Sequence, residues 1–379
     1  MNRRTFFRNS AGAGLVLGRN PGRALTELYA FGQNPNLARV EARYYKRLPD
    51  REIECELCPR RCRLGDKERG YCGVRENDGG IYRSLIYGKI CSLNIDPIEK
   101  KPFFHVLPGS DALTFGMLGC DMHCSFCQNW ITSQTLRDDS AGISPTPVTA
   151  TQIVEAARRS GAATVVSSYN EPLITAEWAI DVFKEARKHN LRCGFVSNGN
   201  ATPTVLDALR PWAQLYKIDL KTMQDKHYRQ LGAVLQHILD GIKMVYERGF
   251  WLEIVTLIVP GFNDSPAELA EAARFIASVS PDIPWHVTAF HADYQMTGPR
   301  NTTERDLVRA AAIGREQGLH YVYAGNLPGH VAEFENTYCP ACRTLLVERR
   351  GYTIRSNHLT PSGACPSCGR AIPGIWTRG

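Results

Sequence analysis

Leu113-Thr114-Phe115-Gly116-Met117-Leu118 runs directly into Gly119-Cys120-Asp121-Met122-His123-Cys124-Ser125-Phe126-Cys127, and this stretch decides the fold. The first six residues read as a short buried strand that Gly119 closes. Cys120, Cys124 and Cys127 then follow at C-x3-C-x2-C spacing on the loop leaving that strand. Three thiolates can hold three irons of a cubane and leave the fourth iron without a protein ligand. The competing reading is a zinc site completed by His123. The spacing, the aromatic Phe126 directly before the last cysteine and the loop's place after the first strand of a series favour the cluster.

Outward from the loop, short β-rich runs alternate with amphipathic helical windows. The predicted strands are 113–118, 164–168, 193–197, 215–220, 251–258 and 284–290, and the helical windows include 151–160, 176–189, 235–248 and 266–278. Gly161 and Gly249 stand where helix C-termini favour a residue tolerant of positive φ. Such alternation implies a parallel sheet, because parallel neighbours need a crossover. The expectation is an α/β protein with a partial (β/α)6 TIM-like barrel and small Cys-rich metal-binding modules at both ends. A seventh strand over 320–324 can follow a helix at 303–317.

Chemistry in such barrels gathers where strands end. There the chain carries Tyr169-Asn170-Glu171-Pro172, Ser197-Asn198-Gly199, Asp219-Leu220-Lys221 and Pro260-Gly261-Phe262-Asn263-Asp264, with His286 on the sixth strand. Polar and ligand-type residues concentrated at one end of a barrel point to an enzyme.

These residues resemble the radical S-adenosylmethionine (SAM) superfamily, which has a CxxxCxxC loop after the first strand of a partial barrel. The resemblance is closer to one subgroup on Asp96-Pro97-Ile98-Glu99-Lys100-Lys101-Pro102, Cys127-Gln128-Asn129-Trp130, Tyr169-Asn170-Glu171-Pro172 and Pro284-Trp285-His286. It is similar to the radical SAM member of the AmmeMemoRadiSam system, which in turn is similar to the activating enzymes of glycyl radical enzymes. The resemblance covers about residues 52–376. It implies a [4Fe–4S] cluster on Cys120, Cys124 and Cys127, with SAM chelated by the open iron and cleaved to methionine and a 5′-deoxyadenosyl radical. That radical takes hydrogen from a protein or small-molecule substrate. The resemblance also implies that Phe126, Asn170, Glu171, Ser197, Asn198, Asp219, Lys221 and His286 surround SAM, with Lys221 facing its carboxylate. For Asp219 and Lys221 a plain structural ion pair is the alternative, and for His286 a satisfied core histidine. Implied partners are a low-potential electron donor of flavodoxin or ferredoxin type and Memo-like and AMMECR-like proteins.

Two further cysteine groups flank the core. Cys339, Cys342, Cys365 and Cys368 form two CxxC knuckles, the ligand set of a tetrahedral structural zinc ribbon. Cys55, Cys58, Cys62 and Cys72 are spaced C-x2-C-x3-C-x9-C, and spacing does not choose between zinc and an auxiliary iron–sulfur cluster. The predicted organisation is a twin-arginine-like segment at 1–25, a linker at 26–50, a Cys-rich module at 51–95, the core at 96–330 and the ribbon-like module at 336–376.

The net charge of +7 does not mark a nucleic-acid enzyme. Residues 1–51 hold ten Lys and Arg against three acidic residues, and residues 52–379 balance at 35 of each. A protein that binds nucleic acid electrostatically carries its excess on the binding domain. A metal-bearing nucleic-acid module or RNA-modifying protein is therefore the second reading. No stretch reaches the ~20 apolar residues of a membrane span. A cytoplasmic protein is expected, with export through Asn2-Arg3-Arg4-Thr5-Phe6-Phe7-Arg8 as the alternative.

Overall fold

The computed structural model describes residues 37–378, so the twin-arginine-like segment lies outside the described residues. Its centre is an eight-stranded sheet: β1 (Ser92–Pro97), β2 (Asp111–Gly116), β3 (Thr164–Ser167), β4 (Arg192–Ser197), β5 (Leu215–Asp219), β6 (Trp251–Ile258), β7 (Trp285–Ala289) and β8 (Val322–Gly325). The spatial order follows the chain order from β1 to β8, and β1 and β8 remain unpaired edges, which makes an open barrel. Strands β2 to β8 are parallel neighbours, while β1 pairs antiparallel with β2, Asn94 opposite Thr114.

The crossover helices begin and end on the expected chemistry. Thr149 and Gln152 close a capping box ahead of helix Ala150–Arg159, and Thr303 and Asp306 do the same for Glu304–Glu316. Gly161 and Gly249 both take positive φ after their helices. Seven parallel strands exceed the six of the partial barrel expected from the sequence, because the candidate seventh forms as β8. The antiparallel β1 escaped that reading. It is a half-buried edge strand ending in Pro97, so it shows neither a continuous apolar run nor a fully buried face.

The N-terminal cysteine region is built from two small antiparallel sheets: Val40–Glu41, Ile81–Ser84 and Arg75–Asp78 in one, Tyr45–Arg47, Ile53–Cys55 and Arg63–Leu64 in the other. Its apolar residues Ile53, Leu57, Val74 and Tyr82 join the same core as the barrel's Leu113, Phe115 and Met122. Buried Arg75 locks the join, donating to Glu177 of helix Ala176–Arg187 and, at 2.8 Å, to the Ile174 carbonyl.

At the other end, Thr337–Tyr338, Leu345–Arg350 and Thr353–Asn357 form a three-stranded antiparallel sheet. Its Leu346, Val347 and Ile372 share a core with Phe104, Tyr321 and Tyr323 of the barrel. Arg349 is buried there and donates to the Phe104 carbonyl at 2.7 Å. The ribbon is thus packed into the barrel's flank.

Candidate active site

The strand ends open into one cavity of about 370 Å³. Cys120, Cys124 and Cys127 line it, together with all eight residues expected around SAM: Phe126, Asn170, Glu171, Ser197, Asn198, Asp219, Lys221 and His286. These residues come from five separate strands and strand-end loops, so only the sheet brings them together.

The cysteine loop is held from behind. Asp121 is buried and accepts from Asn198 Nδ2 and Asn200 Nδ2, each at 2.7 Å. Cys127 Sγ lies 3.2 Å from Ser133 Oγ, and the Met122 amide donates to Cys120 Sγ at 3.3 Å. His123 does not complete a zinc site. It is exposed, stacks on Tyr71 at 4.5 Å and pairs with Arg137, outside the cavity lining. Burial pushes the Cys124 thiol up to about 12, against the opposing pull of Lys221.

Glu171 closes a second buried network. Its carboxylate accepts from Ser197 Oγ at 2.7 Å, the Asn198 amide at 2.7 Å and the Leu173 amide at 3.0 Å. Asn170 accepts from the Met117 amide at 3.0 Å and ties β2 to the loop after β3. Much of the hydrogen-bonding capacity of Glu171, Ser197 and Asn198 is therefore spent on one another, which fixes the strand ends around the cavity. Tyr169 before them adopts φ +68, a left-handed conformation costing a non-glycine residue of order 1–3 kcal/mol. Its carbonyl accepts from Thr132 Oγ1 at 2.7 Å and its hydroxyl donates to Asp96 at 3.1 Å, which hold it there.

Asp219 stands between two lysines, paired with Lys217 and, at 3.3 Å, with Lys221. Burial alone would raise its carboxyl, but the two ammonium groups outweigh that and hold it down at about 2. Lys221 is held above its ordinary value: burial opposes its charge, and Asp219 overcomes it. Lys217 was missed in the sequence, although alternation along β5 places 217, 219 and 221 on one face. His286 Nε2 lies 2.6 Å from Glu253 Oε2, and Glu253 also accepts from the Phe104 and His105 amides at 2.9 Å. Glu253 was likewise unread, since a glutamate inside an apolar strand gives no sign of its partner one strand away.

The cavity lining also holds buried Lys101, which donates to Asp96 at 2.7 Å and to the Tyr169 hydroxyl at 3.1 Å. Two buried polar atoms of the lining, Glu99 Oε2 and Gln128 Nε2, have no hydrogen-bond partner among the described residues. Orphaned polar atoms cost roughly 1–3 kcal/mol each.

A family model described as the Radical SAM superfamily matches residues 115–276. The chain belongs to the radical SAM superfamily. It is 36% identical over 334 residues to an uncharacterized protein of Methanocaldococcus jannaschii, covering 88% of this chain and 98% of that one. It is 26% identical over 228 residues to the pyruvate formate-lyase 1-activating enzyme of Escherichia coli, covering 56% of this chain and 91% of the relative. It is also 28% identical over 136 residues to the isethionate sulfite-lyase activating enzyme of Desulfovibrio desulfuricans, covering 35% and 43% of the two chains.

Radical SAM membership implies a [4Fe–4S] cluster and SAM, and the residues present fit both. Three cysteines line the cavity, together with Met122 of the same loop. The charged lining residues Lys217, Lys221, Asp219 and Glu171 suit a zwitterionic ligand beside the cysteines.

The C-terminal cysteines differ. Among the described residues, Cys339, Cys342, Cys365 and Cys368 alone bring their ligand atoms within 4.8 Å of one another, with Cys339–Cys368 at 3.5 Å and Cys342–Cys365 at 3.6 Å. Zn–S bonds of about 2.3 Å in a tetrahedron place sulfurs at roughly this spacing.

Proposed function

We propose that the chain reductively cleaves SAM and uses the resulting radical to take hydrogen from a protein or small-molecule substrate, as a glycyl-radical-activase-like oxidoreductase. The observation that carries this reading is the single cavity that collects Cys120, Cys124 and Cys127 with Asp219, Lys221, Glu171 and His286. A bound cluster and SAM supply the one-electron chemistry of sulfonium cleavage.

The chain's own residues bind, orient and exclude water. Lys221, positioned by Asp219, offers an ammonium to the SAM carboxylate, and Phe126 forms an apolar wall with its ring 6.0 Å from the lysine nitrogen. Glu253 fixes the His286 ring through Nε2 and leaves Nδ1 as the nitrogen available to a ligand. Glu171 acts as a positioning residue through Ser197 and Asn198. A low-potential flavodoxin- or ferredoxin-type donor supplies the electron, and Memo-like and AMMECR-like proteins are the companions to test. The four C-terminal cysteines hold a structural zinc ion.

The test is anaerobic reconstitution with iron and sulfide, followed by measurement of 5′-deoxyadenosine with a chemical reductant. A brown protein that forms 5′-deoxyadenosine and loses this on Cys124→Ala is expected. A colourless protein that binds only zinc and RNA would return the nucleic-acid reading.

A further inference from the structure

Cys55, Cys58, Cys62 and Cys72 take no part in the cavity, yet they lie against the back of the cysteine loop. Cys55 closes strand Ile53–Cys55, and its amide donates to the Cys62 carbonyl at 2.9 Å, so the segment folds back on itself. The Arg61 amide donates to the Cys58 carbonyl at 3.1 Å and Arg61 takes φ +48, a tight knuckle between Cys58 and Cys62. Cys55, Cys58 and Cys72 are buried and Cys62 is partly exposed. The four thiols lie near enough to act on one another electrostatically.

Two short routes join this group to the loop. Gly119 has φ +90, and a Cβ built there would stand 2.9 Å from the Cys72 carbonyl oxygen and 2.6 Å from Val74 Cγ1. The backbone just before Cys120 therefore touches the backbone of Cys72. Next to Cys72, Tyr71 stacks face to face on His123, the residue before Cys124, with rings 4.5 Å apart and 3° from parallel. Arg60 covers the other side of Tyr71 at 3.5 Å, and Arg137 donates at 3.0 Å to both the Tyr71 and Met122 carbonyls. Asp121, beside Cys120, also acts electrostatically on Cys58. Arg75, buried among these groups, acts on Cys55 and Cys72 and offsets the negative charge that four thiolates bring.

We propose that Cys55, Cys58, Cys62 and Cys72 hold a second iron–sulfur cluster that passes electrons to the cluster on Cys120, Cys124 and Cys127; the relay rests on the SAM-cleaving reading above. One electron leaves a low-potential carrier protein at the partly exposed Cys62 edge and reduces the second cluster. It then passes through the Cys72–Gly119 and Tyr71–His123 contacts to the SAM-site cluster. There it enters the C5′–S bond of SAM, which breaks to methionine and the 5′-deoxyadenosyl radical, and both clusters return to their oxidised state.

The test uses the full chain, reconstituted anaerobically. Wild type should hold about eight irons and one zinc, and the Cys120→Ala/Cys124→Ala/Cys127→Ala variant about four irons with a dithionite-generated paramagnetic signal that SAM does not alter. A wild type with about four irons and two zinc ions, or a triple variant with zinc and no iron, overturns the site. For the relay, Cys58→Ala/Cys62→Ala should lose SAM cleavage driven by flavodoxin and its reductase while retaining cleavage driven by dithionite. Retained flavodoxin-driven cleavage overturns the relay. If wild type makes no 5′-deoxyadenosine with either reductant, the proposed function fails, while the iron counts still decide the site.

Discussion

Acidification from pH 7 to pH 5.5 should loosen the junction between ribbon and barrel through one residue, His105. Its ring is fully buried, with Nδ1 2.7 Å from the Pro373 carbonyl and Nε2 2.6 Å from the Tyr323 hydroxyl. A carbonyl only accepts, so the proton sits on Nδ1 and Tyr323 donates to Nε2. The chain continues outward through Thr337, 2.8 Å from the Tyr323 hydroxyl, to Arg349, which donates to Thr337 at 2.8 Å. Protonating Nε2 would leave two donors facing each other. Burial, against the opposing pull of Glu253, pushes the imidazole down from 6.5 to about 4. Because the folded value is depressed, the unfolded chain takes the proton first. This contribution to stability is complete above about pH 6.5 and is lost as pH falls toward about 4. The full loss is on the order of 3 kcal/mol, of which about 1 kcal/mol falls between pH 7 and 5.5. Urea unfolding of the reconstituted protein, followed by circular dichroism at the two pH values, measures it against His105→Asn, which cannot titrate. Wild type should lose about 1 kcal/mol more than the variant between the two pH values. Equal losses in the two proteins would refute the reasoning.

Cys124→Ala should abolish 5′-deoxyadenosine formation while leaving the helical circular dichroism signal in place, since the barrel core rests on apolar strands. Lys221→Ala should weaken SAM binding by about 1.5–3 kcal/mol in equilibrium titration; an unchanged dissociation constant would make the lysine structural. Asp219→Asn leaves buried Lys217 and partly buried Lys221 without their shared carboxylate, and denaturant unfolding should show a loss of roughly 1.5–3 kcal/mol. Cys365→Ser should release zinc, measured by elemental analysis, and lower the melting temperature, because the ribbon's Leu346 and Val347 share a core with Tyr321 and Tyr323 of the barrel.

The local chemistry was legible in the sequence. Cysteine spacing marked the loop that lines the cavity and the four C-terminal cysteines whose sulfurs converge, because knuckles and loops are built within a few residues of chain. Strand–helix alternation announced the parallel sheet, and Gly161 and Gly249 marked helix ends, because backbone conformation is set by near neighbours. The strand-end residues of the candidate site all reached one cavity, since a parallel sheet delivers every strand to the same end. What the sequence could not supply was partnership across strands. Glu253 and His286 are 33 residues apart, as are no two residues a periodicity window compares, and Asp121 finds Asn198 and Asn200 across 77 and 79 residues. The edge strand β1, the contact of Cys72 with Gly119 and the Arg349 anchor of the ribbon likewise exist only once the sheet has closed. Buried polar groups must find partners wherever the fold brings them, and tertiary packing alone decides which partners those are.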